Sequence, residues 1–214
     1  MSYSQINQDL FAINCLKFKK DGFFVEIGGN HPTHNNNTYL LEKDYNYKGI
    51  IVEMDNSYLP LYQEHRKNSI PIIANATQIN YLEKFKELNV PENIDYLSFD
   101  LDVDNNSTLA TLELFDQQLL STYKFATITF EHDIYRKDWT PNLNFNCNNT
   151  RNKSREIFDK YRYIRLFSDV ANDWAFEDWY VHPDLIDINY INQLIEKNKK
   201  HYNNDKIQYN LIEY

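Results

Sequence analysis

Short apolar runs alternate with helix-patterned stretches along most of the chain, and that alternation restricts the fold more than any other feature. "FFVEIGG", "KGIIVEMD", "IPIIANA", "IDYLSFDLD" and "KFATITFEHD" each read as a strand bounded by polar or turn residues. Between them, "NNNTYLLEKDY", "SYLPLYQEHRKN", "QINYLEKFKELN" and "STLATLELFDQQL" carry apolar residues at helical spacing. Parallel strands need a crossover, usually a helix, so this order predicts βαβ units and an open, doubly wound, mostly parallel α/β sheet. A first helix is predicted from a Ser4 cap to about Lys19, where Asp21-Gly22 breaks it. After the fifth strand come a loop, "IYRKDWTPNLNFNCNN", and a helix, "TRNKSREIFDKY". "RYIRLFS" and "FEDWYVHP" then follow each other without an intervening helix, which predicts an antiparallel edge strand. "INQLIEKNKKHY" is a terminal helix, with Trp174 and Trp179 expected in the core of the edge hairpin.

A chain of 214 residues suits one domain. We divide it into an N-terminal helix (1–20), a sheet core (21–183) and a C-terminal helix and tail (184–214). The net charge is −9. That argues against nucleic acid as a partner, because a phosphate footprint needs clustered Lys and Arg. Cys15 and Cys147 fit neither a disulfide framework nor a zinc spacing, and read as reduced thiols in a cytoplasmic protein. The polar start "MSYSQINQDL" is not a signal peptide, and no stretch approaches a membrane span.

In open α/β sheets, ligands bind outside the carboxyl ends of the strands. Those ends are polar throughout: Glu26 to Asn30, Glu53-Met54-Asp55, Ala74-Asn75-Ala76, Asp100-Leu101-Asp102 and Glu131-His132-Asp133. With only 4 glycines in the chain, the pair Gly28-Gly29 after the first strand marks a tight turn or a close approach of backbone to ligand. Glu53, at the end of the next strand, is placed to accept the hydroxyls of a ribose. The loop lacks the third glycine of GxGxxG and runs on through Asn30-His31-Pro32-Thr33-His34-Asn35. A pyrophosphate requires the helix N-terminus close to the glycines, so this longer loop suits a nucleoside without phosphates. An adenosine with an amino-acid tail, S-adenosylmethionine, fits that description.

The segment "SQINQDLFAINCL…GFFVEIGGN…NNTYLLEKDYNYKGIIVE" resembles the opening of the FkbM-type S-adenosylmethionine-dependent methyltransferases. The matching positions are Ser4-Gln5, Gln8-Asp9, Phe24 to Asn30, Asn37 to Glu42 and Gly49 to Glu53. The resemblance implies the seven-stranded, Rossmann-like class I methyltransferase sheet, whose last strand inserts antiparallel. It assigns Glu26, Gly28, Gly29 and Asn30 to the methionine end of the cofactor, Glu53 to the ribose and Asn75-Ala76 to the adenine. Asp100 falls beside the methionine amino group or the transferred methyl. It also implies methylation of a hydroxyl on a sugar, glycan or other small molecule. The family's Asp-x-Glu-Gly after the fourth strand is replaced here by Asp100-Leu101-Asp102-Val103-Asp104.

Those carboxylates need an explanation, because like charges set so close together repel and resist burial. In one reading Asp100 or Asp102, with Glu131 and Asp133, binds Mg2+ or Mn2+, which would lower the pKa of an acceptor hydroxyl. In a second, Asp102 and Asp104 cap the next helix while Glu131 meets Arg136 or Lys137. In a third, His132 is a general base without metal, with Asp102 and Glu131 beside it. His31 and His34 are further candidate bases, and Tyr135, Trp139 and the loop around Pro141 a candidate lid. A different class of function is a cofactor-binding module that has lost catalysis and acts through protein interaction.

Overall fold

The computed structural model describes residues 1–171 and 174–199, so the predicted tail lies outside the described residues. Seven strands form one sheet: β1 (Phe23–Ile27), β2 (Lys48–Glu53), β3 (Ser69–Ile73), β4 (Asn93–Phe99), β5 (Lys124–Glu131), β6 (Ile164–Ala171) and β7 (Ala175–Val181). Their order is β3-β2-β1-β4-β5-β7-β6. Neighbours among β1 to β5 are parallel, and β7 runs antiparallel to both β5 and β6. The two late strands thus form the antiparallel pair expected at one edge, with β7 inserted between β5 and β6. Burial explains the placement. From Phe176 to Val181, β7 is buried at every position and needs a neighbour on each side. β6 carries Arg165, Ser168 and Asp169 with register shifts along its pairing, features that suit an edge.

Helices cover both faces: α1 (Gln8–Cys15), α2 (Tyr39–Tyr45), α3 (Leu59–His65), α4 (Tyr81–Glu87), α5 (Ser107–Gln118), α6 (Pro141–Lys160) and α7 (Ile188–Lys199). The two-residue period of the strands sorts the core. Val25, Leu97, Phe99 and Phe130 pack with Phe85 of α4, Phe115 of α5 and Phe158 of α6. Phe24, Ile51 and Tyr96 pack on the other face with Leu10 and Ile13 of α1, Leu40 and Leu41 of α2 and Tyr62 of α3. Trp179 and Val181 of β7 continue that face against Phe11 and Ile191.

Three local predictions change. α1 is shorter than expected, because Asn7 before it and Lys17 and Phe18 after it are left-handed. Ser4 does not cap it. Its hydroxyl donates instead to Asp9 at 2.8 Å, as does the Tyr3 amide, which folds the N-terminal residues back onto the helix. α6 begins within the predicted loop, where Thr140 accepts from Leu143 N and Pro141 takes the first helical position. Trp179 is buried as expected, but Trp174 is exposed and rests on Tyr135 at the surface. Cys15 and Cys147 are free and buried. Among the described residues, no helix is long and apolar enough to cross a membrane.

The long connection from β1 to α2 has no regular structure for most of its length, so something else must hold it. Arg66, at the end of α3, is that support. It is 2% exposed and donates to Glu42 (2.7 Å), Pro32 O (3.0 Å), Asn36 Oδ1 (3.0 Å) and Thr38 Oγ1 (2.7 Å). Removing one member of a buried ion pair strands the other charge without water. Arg66→Met is expected to lower the free energy of unfolding by about 3–5 kcal/mol, measured by urea titration.

Candidate functional site

The carboxyl ends of β1 to β5 open into a cavity of about 760 Å3. Its floor is the turn after β1. Gly28 has φ +87°, and a Cβ there would stand 1.7 Å from the Asp100 carbonyl oxygen. Only glycine permits this turn and this contact between the β1 and β4 ends. Gly28 N and Gly29 N both donate to Val52 O, so the turn is fixed to β2 as well. Asn30 follows in a left-handed conformation, and its carbonyl accepts from the Tyr62 hydroxyl at 2.7 Å.

Glu53 is held from both sides. Asn30 N donates to one carboxylate oxygen and Asp55 N to the other, each at 2.7 Å. The carboxylate is thereby aimed while it still borders the cavity, with acceptor capacity left for two hydroxyls. Asn75 and Ala76 line the same end, where the Asn75 side-chain oxygen is taken by Thr77. Met54 and Tyr58 border it too, and their apolar surfaces suit a planar base. The sequence reading left both unassigned, although Met54 directly follows Glu53 at a strand end. Gln5 and Asn37, in the segments that lead into α1 and α2, also border the cavity; both match the family pattern, but the sequence assigns neither a role.

At the other end, Glu26 is 1% exposed, and Thr38 Oγ1 (2.8 Å) and Asn36 Nδ2 (3.2 Å) donate to it. Burial pushes its carboxyl up to about 7, against the opposing pull of Arg66, Thr38 and Asn36, and the Asp100 charge adds to the rise. Glu131 borders the cavity beside Asp100. Loss of water lifts its carboxyl well above the usual range, and Asp100, Asp133 and Glu177 add repulsion. Asp133 is raised by burial, which outweighs its bond to Arg136.

Of the predicted metal residues, Asp100, Glu131 and Asp133 are neighbours, though their donor atoms are not all within 4.8 Å of one another, and Asp102 lies apart. Asp102 is exposed and closes its own loop by accepting from Asp104 N (3.0 Å). Asp104 pairs with Arg136 (2.6 Å), as Asp133 does (3.0 Å), so Arg136 meets these two rather than Glu131. Neither Asp102 nor Asp104 caps α5, which starts after left-handed Asn106. The donor set as arranged does not fit a preformed divalent-cation site. Among the described residues, donor atoms within 4.8 Å of one another are found at His132, Asp169 and Asp178. Two guanidinium groups already neutralise that group: Arg155 binds Asp178 (2.6 Å) and Asp169 (3.0 Å), and Arg151 binds Asp169. His132 is correspondingly off the cavity. Strand alternation turns it to the face opposite Glu131, where it is 0% exposed and its Nε2 stands 3.4 Å from Asp178. Burial would raise Asp178, but hydrogen bonds from His132 and Arg155 hold it well below the usual carboxylate range. His31 and His34 do line the cavity, and Thr33 N donates to His31 Nδ1 at 3.3 Å. Trp139 is exposed and packs on Tyr135 and Arg136 rather than on the cavity.

No known protein family and no curated protein matches the chain by sequence. Solved structures do match its fold. A SAH-bound methyltransferase from Podospora anserina superposes with a TM-score of 0.55 at 14% identity, covering 82% of this chain and 76% of its own. A putative caffeoyl-CoA O-methyltransferase from Staphylococcus aureus gives 0.54 at 11%, covering 82% of each chain. TrmK of M. capricolum, in complex with S-adenosyl-homocysteine, gives 0.52 at 12%, covering 97% of this chain and 92% of its own. The fold is that of the class I methyltransferases.

Glu26 gives this site a pH signature. Its carboxyl sits near 7 in the folded protein against an ordinary 4.5. The folded state therefore binds the proton more tightly, and the stability this contributes is full below about 4.5 and lost as pH rises through about 7. Glu26→Gln removes that loss. Measured by urea unfolding, the variant is expected to gain about 2–3 kcal/mol over the parent protein between pH 4.5 and pH 8.

Proposed function

We propose that the protein is an S-adenosylmethionine-dependent methyltransferase acting on a hydroxyl of a sugar, glycan or other small molecule, of the FkbM type. The observation that carries the cofactor assignment is the pairing of the Gly28 turn with the aimed Glu53 carboxylate in one cavity. Glu53 faces where a ribose would lie, Asn75, Ala76, Met54 and Tyr58 the adenine, and Glu26, Gly28 and Asp100 the methionine end. When bound, S-adenosylmethionine supplies an electrophilic methyl carbon on a sulfonium. The acceptor oxygen gains that methyl and loses its proton. Glu131, against the same end of the cavity, is the side chain placed to take the proton, because burial makes its carboxylate a stronger base than an exposed one. Mg2+ or Mn2+ is not needed for this reading. The retained set of Glu131, Asp100 and the cofactor-side residues also disfavours a module that only binds.

Isothermal calorimetry with S-adenosylmethionine and S-adenosylhomocysteine tests the assignment. Both are expected to bind. Glu53→Ala is expected to weaken them about 10- to 100-fold, the effect of losing charged hydrogen bonds to two hydroxyls. No heat from either compound at millimolar concentration refutes the assignment.

A further inference from the structure

The register of the sheet sets three carboxylates in a row. Glu131 on β5 and Glu177 on β7 are direct cross-strand partners. Asp100 follows Phe99, whose partner on β5 is Phe130, so it arrives beside Glu131 from the opposite side. Like charges directly opposite each other destabilise a sheet. Here no protein cation offsets them. Among the described residues, none of the three carboxylates has an ion-pair partner, and nearby Arg136 is committed to Asp104 and Asp133.

Two buried polar atoms at this end also lack partners. Glu177 Oε1 accepts no hydrogen bond although the residue is 3% exposed. Asn37 Oδ1 is likewise unpaired in a residue 6% exposed, its Nδ2 being spent on Ser98 Oγ at 2.9 Å. Asn37, Asp100 and Glu131 line the cavity, and Glu177 faces Asp100 and Glu131 from behind. Asn37 Oδ1 and Glu177 Oε1 are acceptors; Trp179 Nε1, two residues along β7, is an unpaired buried donor that bears on Glu177 together with Gln8, so the acceptors left facing the cavity are Asn37 and the Asp100 and Glu131 carboxylates. A buried acceptor without a donor is costly, and a buried charge more so. The complement is a cationic donor with several N–H groups. The amino group of the cofactor can answer one carboxylate, beside Glu26 and Asp100, which leaves Glu131 unanswered, with Glu177 behind it. Asp100, Glu131 and Glu177 are not among the groups of three whose donor atoms lie within 4.8 Å of one another, so a divalent cation here would be held by two carboxylates and water, and Mg2+ and Mn2+ are arms of the test.

We propose that the methyl acceptor carries a protonated amine, received by Glu131 with Asn37 at its side and the Glu177 carboxylate behind it. This inference rests on the methyltransferase reading and names its substrate class, an amine-bearing hydroxyl compound. It is tested by thermal melting of the protein saturated with S-adenosylhomocysteine, using glucosamine, glucose, MgCl2 and MnCl2 as probes. Glucosamine at about 10 mM is expected to raise the melting temperature by about 3 °C or more, and glucose to leave it unchanged. The glucosamine shift is expected to vanish in Glu131→Gln and Glu177→Gln, which remove charge without changing shape and still bind S-adenosylhomocysteine. An equal shift from glucose, or a glucosamine shift that survives in both variants, overturns the proposal. So does a shift of the same size from Mg2+ or Mn2+ alone that both variants abolish. The comparison of glucosamine with glucose on the parent protein decides even if a variant fails to fold. S-adenosylhomocysteine binding without an amine-specific shift overturns this inference alone; no S-adenosylhomocysteine binding overturns the methyltransferase reading with it.

Discussion

A single buried guanidinium holds one wall of the cavity in shape. Arg66 comes from the end of α3 and reaches under the connection from β1 to α2, where it joins Pro32, Asn36, Thr38 and Glu42. Its charge also lies 3.9 Å from Glu26, and its plane covers the Phe24 ring. Burying a charge this fully is tolerable only when every donor finds an acceptor, and Arg66 nearly achieves that. The consequence passes along a chain of contacts. Asn36 and Thr38, held by Arg66, in turn donate to Glu26. A segment without regular structure thus acquires one conformation, and the floor of the cavity is set before any ligand arrives.

The two faces of the sheet use charge in opposite ways. On the α6 face, His132, Asp169 and Asp178 are neutralised by Arg151 and Arg155, a closed network that ties the β6–β7 hairpin to α6. On the α1 face, Glu26, Asp100, Glu131 and Glu177 gather with far less compensation. One residue of offset along β5 separates the fates of His132 and Glu131. Uncompensated charge in a protein interior marks a place prepared for a ligand more often than a place built for stability.

Much of this architecture was legible in the chain. The alternation of strand and helix, the glycine pair after β1 and the acidic residue ending β2 follow from local rules about crossovers, left-handed turns and strand ends. The start of α6 was legible too, in Thr140-Pro141, but the Asn-rich sequence after it obscured the helix. Ser4 misled because its hydroxyl donates to the Asp9 carboxylate, while as an acceptor it meets a helix amide, Asp9 N, only at 3.5 Å.

The sequence by itself determined the α/β class and the end of the sheet that opens into the cavity, where Glu26, Gly28 and Glu53 stand. These depend on patterns within a few residues of one another. Only the tertiary structure decided that Asp102 and Asp104 turn away into a loop and Arg136, and that Glu177 joins Glu131 in their place. Which carboxylates meet depends on strand order and register, and those are set by the burial of whole strands against distant neighbours rather than by any local signal.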